Sequence, residues 1–150
     1  MKLEIELVPS SSWGNNLRDE ANLSRRDWDT LRRGCYERAG HKCEICGGVS
    51  WRTYGGKRKK IVECHEIWSY EGGVQRLEGL VALCSKCHRV KHIGRELSLG
   101  RGEESVMHLM KVNGISVDEA CDYIDEVFRV HRERSRREWE LDLSWLEGKI

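Results

Sequence analysis

Two Cys-x-x-Cys pairs are the residues of this chain whose types and spacing indicate chemistry most clearly. The pairs are Cys43 with Cys46 and Cys84 with Cys87, and 37 residues separate them. Two such pairs can bring four thiolates to the corners of a tetrahedron, which suits Zn²⁺ because it accepts soft sulfur ligands without a redox change. The alternative, four buried or redox-active cysteines, leaves the paired spacing unexplained. We therefore predict a structural zinc site, which stabilises the fold and has no open position for catalysis.

Histidines form a second set of candidate ligands. His88 follows the last cysteine directly, and His92 is four residues further along the same predicted helix, so both lie on one helical face. His65 and Glu66 end a strand-like run that begins at Lys60. Each histidine taken singly is more often a surface or core residue than a ligand. Because they cluster around the predicted zinc site, we expect His65 and His88, with His92 as a further candidate, to bind a second divalent cation.

Four segments between residues 41 and 92, about a third of the chain, combine these candidate ligands. They are Cys43-x-x-Cys46, Val62-Glu63-Cys64-His65-Glu66-Ile67, Gly72-Gly73 and the stretch from Gly79 through Cys84-x-x-Cys87-His88-x-x-Lys91. Together they resemble the four-cysteine branch of the HNH endonucleases. The resemblance implies a ββα-metal, treble-clef-like fold, in which a hairpin and a helix hold one Mg²⁺, Mn²⁺ or Zn²⁺ against a DNA phosphate. It also implies phosphodiester hydrolysis, with a histidine at the end of the first strand activating water.

The resemblance assigns roles unevenly. The four cysteines match the structural zinc ligands, and His88 matches a ligand of the catalytic metal. In the register set by Ile67, His65 matches a metal-binding position, and Glu66 occupies the position of the catalytic histidine. Gly79 stands where the family usually has an Asn before the Leu-Leu-Cys segment.

Two accounts of the catalytic position stay open. In a register shifted by one residue, His65 is the general base and Cys64 takes the metal position, but such a slip exchanges the two faces of a strand, so only one register can hold. Otherwise Glu66 is the base, although a carboxylate near a cation keeps a low pKa and accepts protons more weakly than imidazole. The sequence therefore allows an active nuclease, one with altered activity, or a protein that kept the fold without the reaction.

The distribution of charge indicates where nucleic acid would bind. The whole chain has 26 Lys and Arg against 25 Asp and Glu, a net charge of +1. Residues 41–95, however, contain eleven Lys and Arg and five Glu, so a basic centre lies between acidic flanks. Trp51 and Tyr54 precede a basic run that two glycines introduce, although such a run is also typical of a solvated hairpin tip. The candidate phosphate contacts are Lys57, Arg58, Lys59, Lys60, Arg89 and Lys91.

We expect DNA as the partner, with RNA as the alternative and with weak sequence preference, because phosphate contacts carry no sequence information. A second basic segment is a weaker candidate, because glutamates interrupt it and a solvated helix face explains it equally well. Its arginines are Arg129, Arg132, Arg134, Arg136 and Arg137.

The flanking sequence predicts the elements that position these residues. Apolar residues alternate with charged ones over residues 2–8 and again over residues 141–145, and we expect these two strands to pair. Capping signals begin helices at Ser24 and Ser116, and Gly40 and Asn113-Gly114 end helices. Further helices are predicted from Cys84 onward and over residues 103–112. Cys35 and Cys121 fall on apolar helix faces, so we predict both as core residues.

These elements predict one α+β domain over residues 1–150. It comprises an N-terminal strand and helix (1–40), an HNH-like zinc core with the ββα-metal fold (41–95), and C-terminal helices and a strand (96–150). The N-terminal charges exclude a signal peptide, and no apolar run reaches the length of a membrane span, so we expect a cytoplasmic protein with no membrane partner.

We predict an HNH-type, metal-dependent DNA endonuclease or nickase. Two alternatives are a catalytically inactive HNH-like zinc module that binds nucleic acid, and a zinc-stabilised protein-interaction factor whose acidic flanks make the contacts.

Overall fold

The computed structural model describes all 150 residues, which form a mixed α+β fold. The helices are α1 (Arg25–Arg38), α2 (Ser85–Lys91), α3 (Ile93–Ser98), α4 (Gly102–Asn113) and α5 (Val117–Arg134). The strands are β1 (Ser50–Tyr54), β2 (Lys57–Ile61), β3 (Glu63–Glu71), β4 (Val74–Leu83) and β5 (Glu140–Asp142). Short 3-10 helices span Ser10–Ser12 and Ser144–Leu146. None of the helices combines the length and the apolar composition that crossing a membrane requires.

The strands form two separate sheets, each built on an antiparallel hairpin. β1 pairs with β2 around Gly55-Gly56, and both glycines have positive φ, as a tight two-residue turn requires. β3 pairs with β4 around Gly72-Gly73 in the same way. The register of this second hairpin shifts between Ile67 and Trp68, so the strands are interrupted by a bulge just after the candidate catalytic residues.

β4 leads directly into α2, and this junction positions the candidate ligands. Cys84 is the N-cap of α2, and its sulfur accepts a hydrogen bond from the backbone N–H of Cys87 at 3.4 Å. A side-chain cap of this kind satisfies a donor that the first turn of a helix leaves without a partner. Leu83 and Val90, on either side of this turn, are fully buried. The hairpin and α2 therefore form one packed unit.

Two buried apolar clusters hold the fold together, and β4 contributes alternate residues to each. Leu83 belongs to the first cluster, which packs α2, α3, α4 and α5 with the N-terminal residues. Leu80 and Ala82 belong to the second cluster, which packs α1 against the β3–β4 hairpin. Because successive side chains of a strand point to opposite faces, one hairpin supports both clusters.

The predicted helix boundaries are confirmed where local capping sets them. The Ser24 side chain accepts the N–H of Asp27 at the start of α1. Ser116 and Glu119 form a reciprocal capping box at the start of α5. Gly114 ends α4 with a φ of 62°, a left-handed conformation that glycine adopts without strain.

The predicted N-terminal strand is wrong. Residues 2–8 form no strand and do not pair with the C-terminal residues. Leu3 and Ile5 are nevertheless buried, so the alternation correctly identifies one buried row of side chains. Helical side chains replace a strand partner: Asn113 exchanges two hydrogen bonds with the backbone of Leu3, and the Tyr123 hydroxyl accepts the N–H of Ile5.

The C-terminal strand exists, but its predicted partner and length are wrong. β5 pairs in parallel with the start of β4, where Arg76 and Asp142 are register partners and form a 2.9 Å ion pair. The chain then turns into the 3-10 helix that contains the buried Leu146. A small sheet of N- and C-terminal strands is therefore absent, because β5 instead extends the β3–β4 hairpin.

Cys35 is buried as predicted, whereas Cys121 is exposed, so its assignment to the core is wrong. The buried residues of α5 are Ala120, Ile124 and Val127. Cys121 follows Ala120 by one residue, which rotates its side chain by about 100° away from the buried face.

Asn113 fastens the N-terminal segment, since it satisfies the N–H and the C=O of the fully buried Leu3. We expect Asn113→Ala to lower the free energy of unfolding by about 1–3 kcal/mol, because it leaves buried polar groups unpaired. Urea unfolding followed by circular dichroism measures the change. The control is Lys111→Ala at an exposed position of the same helix, with an expected change below about 0.5 kcal/mol. An Asn113→Ala variant as stable as the control would contradict this role.

Candidate functional site

The structure brings the four predicted zinc ligands together. Cys43 and Cys46 lie in the loop after α1, and Cys84 and Cys87 lie at the start of α2. Their sulfur atoms are all within 4.8 Å of one another, and the Cys46 and Cys84 sulfurs are 3.6 Å apart. No two of these cysteines form a disulfide. The four thiols therefore form a group that could hold a metal ion.

The loop that carries the first pair is fastened to β4 through Glu44. The Glu44 carboxylate accepts the N–H of Ala82 at 2.7 Å, and the Glu44 N–H donates to the Ala82 carbonyl at 2.9 Å. Arg38 of α1 donates to the same carboxylate at 2.9 Å. Through these two hydrogen bonds, Glu44 pairs with Ala82 as a residue of a neighbouring strand would. This pairing fixes the two cysteines of the loop opposite the two cysteines of α2.

His108 of α4 extends this group. Its Nε2 lies 3.1 Å from the Cys87 sulfur. A ring N–H at that distance donates to a thiolate and stabilises its negative charge, as residues around metal ligands commonly do. His108 was not among the predicted ligands, because nothing in its local sequence indicates a contact with a residue 21 positions away.

The structure also brings together the three predicted histidines of the second group. His65 lies on β3, His88 lies in α2, and His92 is the residue that ends α2. One nitrogen of each lies within 4.8 Å of the others, and the Nε2 atoms of His88 and His92 are 3.2 Å apart. The three residues thus lie together, and three imidazoles in this arrangement could hold a metal ion.

Glu63 is a member of this site that the sequence analysis missed. Its carboxylate contacts Nδ1 of His88, and the guanidinium of Arg52 lies 3.9 Å from its other oxygen. A carboxylate on one ring nitrogen fixes the orientation of a histidine and directs the other nitrogen toward the metal position. The signal was present, because Glu63 and His65 are two residues apart on a strand and so share a face.

Burial lowers the pKa values of two members of the histidine group, His65 and His92. Burial, and then the charges of His88 and His92, lower the pKa of His65 to about 2. Burial, and then the charge of His88, lower the pKa of His92 to about 4. Both imidazoles are therefore neutral near pH 7, which is the form that binds a metal. Contact with His88 lowers the pKa of Glu63, so that carboxylate is ionised.

Glu66 lies on the other face of β3 from His65, although both side chains line a cleft that His92 also lines. It is on the face of β3 that Cys64 and Trp68 also occupy, and all three are buried on the side of the second core cluster. Its carboxylate accepts the backbone N–H of the buried Leu17 at 2.9 Å. Of the two registers considered from the sequence, the structure therefore has His65, and not Cys64, on the face of the other histidines.

The predicted phosphate contacts lie in three places: on β2, beside His88, and on another side of α2. Lys57 to Lys60 lie on the exposed β2, where Arg58 stacks over Trp51 at 4.3 Å. Ser50, at the start of β1, exchanges hydrogen bonds with Ser85 of α2, which connects this hairpin to the ligand-bearing helix.

The other predicted contacts lie elsewhere. Arg89 is exposed beside His88, whereas Lys91 is half-buried on another side of α2. Two of the five arginines of the second basic segment form ion pairs within the chain: Arg129 pairs with Glu126 and Glu133, and Arg134 pairs with Glu6.

The four-cysteine group makes a prediction about metal content. We expect purified protein to contain a metal in this group, and we expect Cys46→Ser to weaken its retention and to lower the melting temperature, since bound metal contributes to folding. Metal analysis before and after a chelator, combined with thermal unfolding, measures both. Cys121→Ser is the matched control, because it removes another exposed free thiol that lies outside the group. Equal metal content in both variants would exclude a four-cysteine metal site.

The contact of Glu66 with Leu17 makes a prediction about stability. Glu66→Ala leaves the N–H of a fully buried residue without a partner, and we expect it to cost about 1–3 kcal/mol of unfolding free energy. Glu66→Gln keeps an oxygen acceptor and should recover most of that loss. Urea unfolding of both variants, with the exposed Glu71→Ala as control, measures the difference. If Glu66→Ala is as stable as the control, the hydrogen bond contributes nothing.

Comparisons with known proteins assign no family to this geometry. The chain matches no protein-family model, no curated protein and no solved structure. The function is therefore inferred from the four-cysteine group, the histidine group and the surfaces around them.

Proposed function

We propose that this protein is an HNH-type, metal-dependent nuclease that hydrolyses phosphodiester bonds in DNA. The observation that carries the proposal is the placement of three histidines and one carboxylate on β3 and α2, directly beside the four-cysteine group. Cys87 and His88 are consecutive in α2, so one helix turn contributes to both groups. A hairpin followed by a helix with this division of ligands agrees with the ββα-metal core that the sequence resemblance implies.

The two groups differ in the metal they suit. Four thiols, three of them buried, suit a structural Zn²⁺. Three imidazoles suit Zn²⁺ or another transition metal such as Mn²⁺ better than Mg²⁺, which prefers oxygen ligands. Nδ1 of His65 is buried without a hydrogen-bond partner, a costly arrangement that metal ligation relieves. Three protein ligands also leave an open position, as catalytic sites require.

The protein's own residues account for binding and orientation. His65, His88 and His92 would hold the ion, which when bound polarises a phosphate oxygen and lowers the pKa of water. Glu63 keeps the Nδ1 proton of His88 on the side away from the group, so that Nε2 is free as a ligand atom. The cations of β2 are exposed and free to contact neighbouring phosphates of a DNA substrate.

One observation favours a second candidate function, a nucleic-acid-binding module without catalysis. Glu66 stands where the family has its catalytic histidine, and its carboxylate is occupied by the N–H of Leu17. Glu63 is the carboxylate that hydrogen-bonds to the histidine group, and it is engaged by His88, whereas Glu66 lines a cleft together with His65 and His92. A metal ion held by the three histidines would lower the pKa of water, so Glu66 need not act as the base in the proposed nuclease.

A plasmid-nicking assay tests the reaction. We expect zinc-containing protein to convert supercoiled DNA to the nicked form when Mn²⁺ or Zn²⁺ is supplied, with a weaker response to Mg²⁺. His88→Ala removes a ligand and should abolish nicking. Glu63→Gln leaves the ligands in place but weakens the orientation of His88, so we expect a loss of about 10- to 100-fold.

The control for this assay is His41→Asn. His41 is exposed, lies outside both groups and has a φ of 57°, which Asn tolerates. Nicking that survives His88→Ala would contradict the site. Salt-sensitive retention of DNA by wild-type protein without nicking would favour the binding module instead.

A further inference from the structure

A polar cleft of about 330 Å³ opens beside the histidine group. Eight residues line it, none of them hydrophobic, and four of them are arginines. Arg101 is engaged by Glu96, and Glu63 by His88, so the two carboxylates of the cleft are already paired. The guanidinium groups that have no carboxylate partner are those of Arg18, Arg89 and Arg95.

Three uncompensated guanidinium groups around a candidate metal site favour an anion. Arginine presents paired N–H donors that match the oxygens of a phosphate. Arg18 lines this cleft together with His88 and His92, so it lies beside the histidine group. The cleft thus suits one phosphate group of a nucleic-acid backbone.

A second cleft, of about 770 Å³, adjoins the first and shares Arg18, His92 and Arg95 with it. In contrast to the first cleft, it has aromatic walls, to which Trp13, Trp68 and Phe128 contribute. Trp13 is 70% exposed, although it is a large aromatic residue. The ammonium group of Lys91 faces this cleft half-buried and without an ion-pair partner. This cleft combines an indole surface with donors, as a site for a nucleobase does.

The segment that carries Trp13 and Arg18 is held rigidly. Glu66 accepts the N–H of Leu17, and the fully buried Gln75 exchanges two hydrogen bonds with Asn15. Neither contact belongs to the candidate metal groups. Preorganisation of a binding segment lowers the entropy lost when a ligand binds, so these buried contacts support a binding role for residues 13–18.

We propose that this site takes an unpaired nucleotide, with its phosphate among the arginines and its base against Trp13. A base within a duplex is stacked and paired, and its face cannot reach an indole beside the backbone phosphates. The inference deepens the proposed nuclease function, on which it rests for the reaction, and names single-stranded DNA or an unpaired segment as its preferred substrate. Glu66 and Gln75 then act as positioning residues for the segment that binds the base.

Fluorescence anisotropy without added divalent cation separates binding from cleavage. The probes are a labelled single strand of about 12 nucleotides, its duplex, and the same strand with abasic residues. We expect the wild-type protein to bind the single strand most tightly. Trp13→Ala should weaken binding of the single strand about tenfold, and should leave the duplex and the abasic strand unchanged. Arg18→Gln should weaken the single strand and the abasic strand alike and reduce the salt slope by about one unit.

Matched controls come from exposed residues of the same types. Trp51→Ala should leave the ratio of single-strand to abasic affinity unchanged, and Arg33→Gln should leave all three affinities unchanged. Circular dichroism verifies that each variant is folded.

The outcomes distinguish this inference from the proposed nuclease. If Trp13→Ala affects the single strand and the abasic strand equally, or if the duplex binds as tightly as the single strand, the base site is overturned even when nicking occurs. If Trp13→Ala weakens binding of the single strand alone but the wild-type protein does not nick DNA, the base site is supported and the nuclease proposal fails.

Discussion

The direct passage from β4 into α2 is the constraint on which the rest of the structure depends. Cys84 ends the strand and caps the helix through the N–H of Cys87, so the second cysteine pair and the first turn of the helix are one local structure. Once this turn is set, helical geometry alone places His88 and His92 on one face, and strand pairing brings β3 beside them. The junction therefore positions the histidine group and the second cysteine pair, and the contacts of Glu44 with Ala82 of β4 place the first cysteine pair opposite them.

The surroundings of this junction show how a chain with a net charge of +1 can present a basic surface. In the segments that flank residues 41–95, acidic residues form ion pairs with the arginines of those segments: Glu6 pairs with Arg134, and Glu126 pairs with Arg129. Near the histidine group, Arg52 and Arg101 have acidic partners, whereas Arg18, Arg89 and Arg95 have none. Near-neutrality thus results from separate regions of opposite charge, and long-range attraction of a polyanion depends on the local excess more than on the sum.

Local features of the fold could be predicted from the sequence, and long-range ones could not. Helix caps, the two cysteine pairs and the spacing of His88 and His92 depend on residues within about one helical turn, so their sequence signals were sufficient. The contact of His108 with Cys87 and the partners of the N-terminal segment join residues far apart in the chain. Alternation over residues 2–8 predicts burial of one face, but it cannot tell whether a strand or a set of helical side chains will supply the hydrogen bonds.

The position of Glu66 shows how one buried carboxylate connects β3 to the N-terminal segment. A carboxylate at that position of β3 faces the second core cluster, where an unpaired charge would be costly, and the N–H of Leu17 compensates it. The same contact fixes the segment between the Ser10–Ser12 helix and α1, and thereby Trp13 and Arg18, whose side chains line the clefts beside the histidines. The contact therefore couples the strand that carries His65 to a segment outside residues 41–92, which the spacing of the candidate ligands cannot reveal.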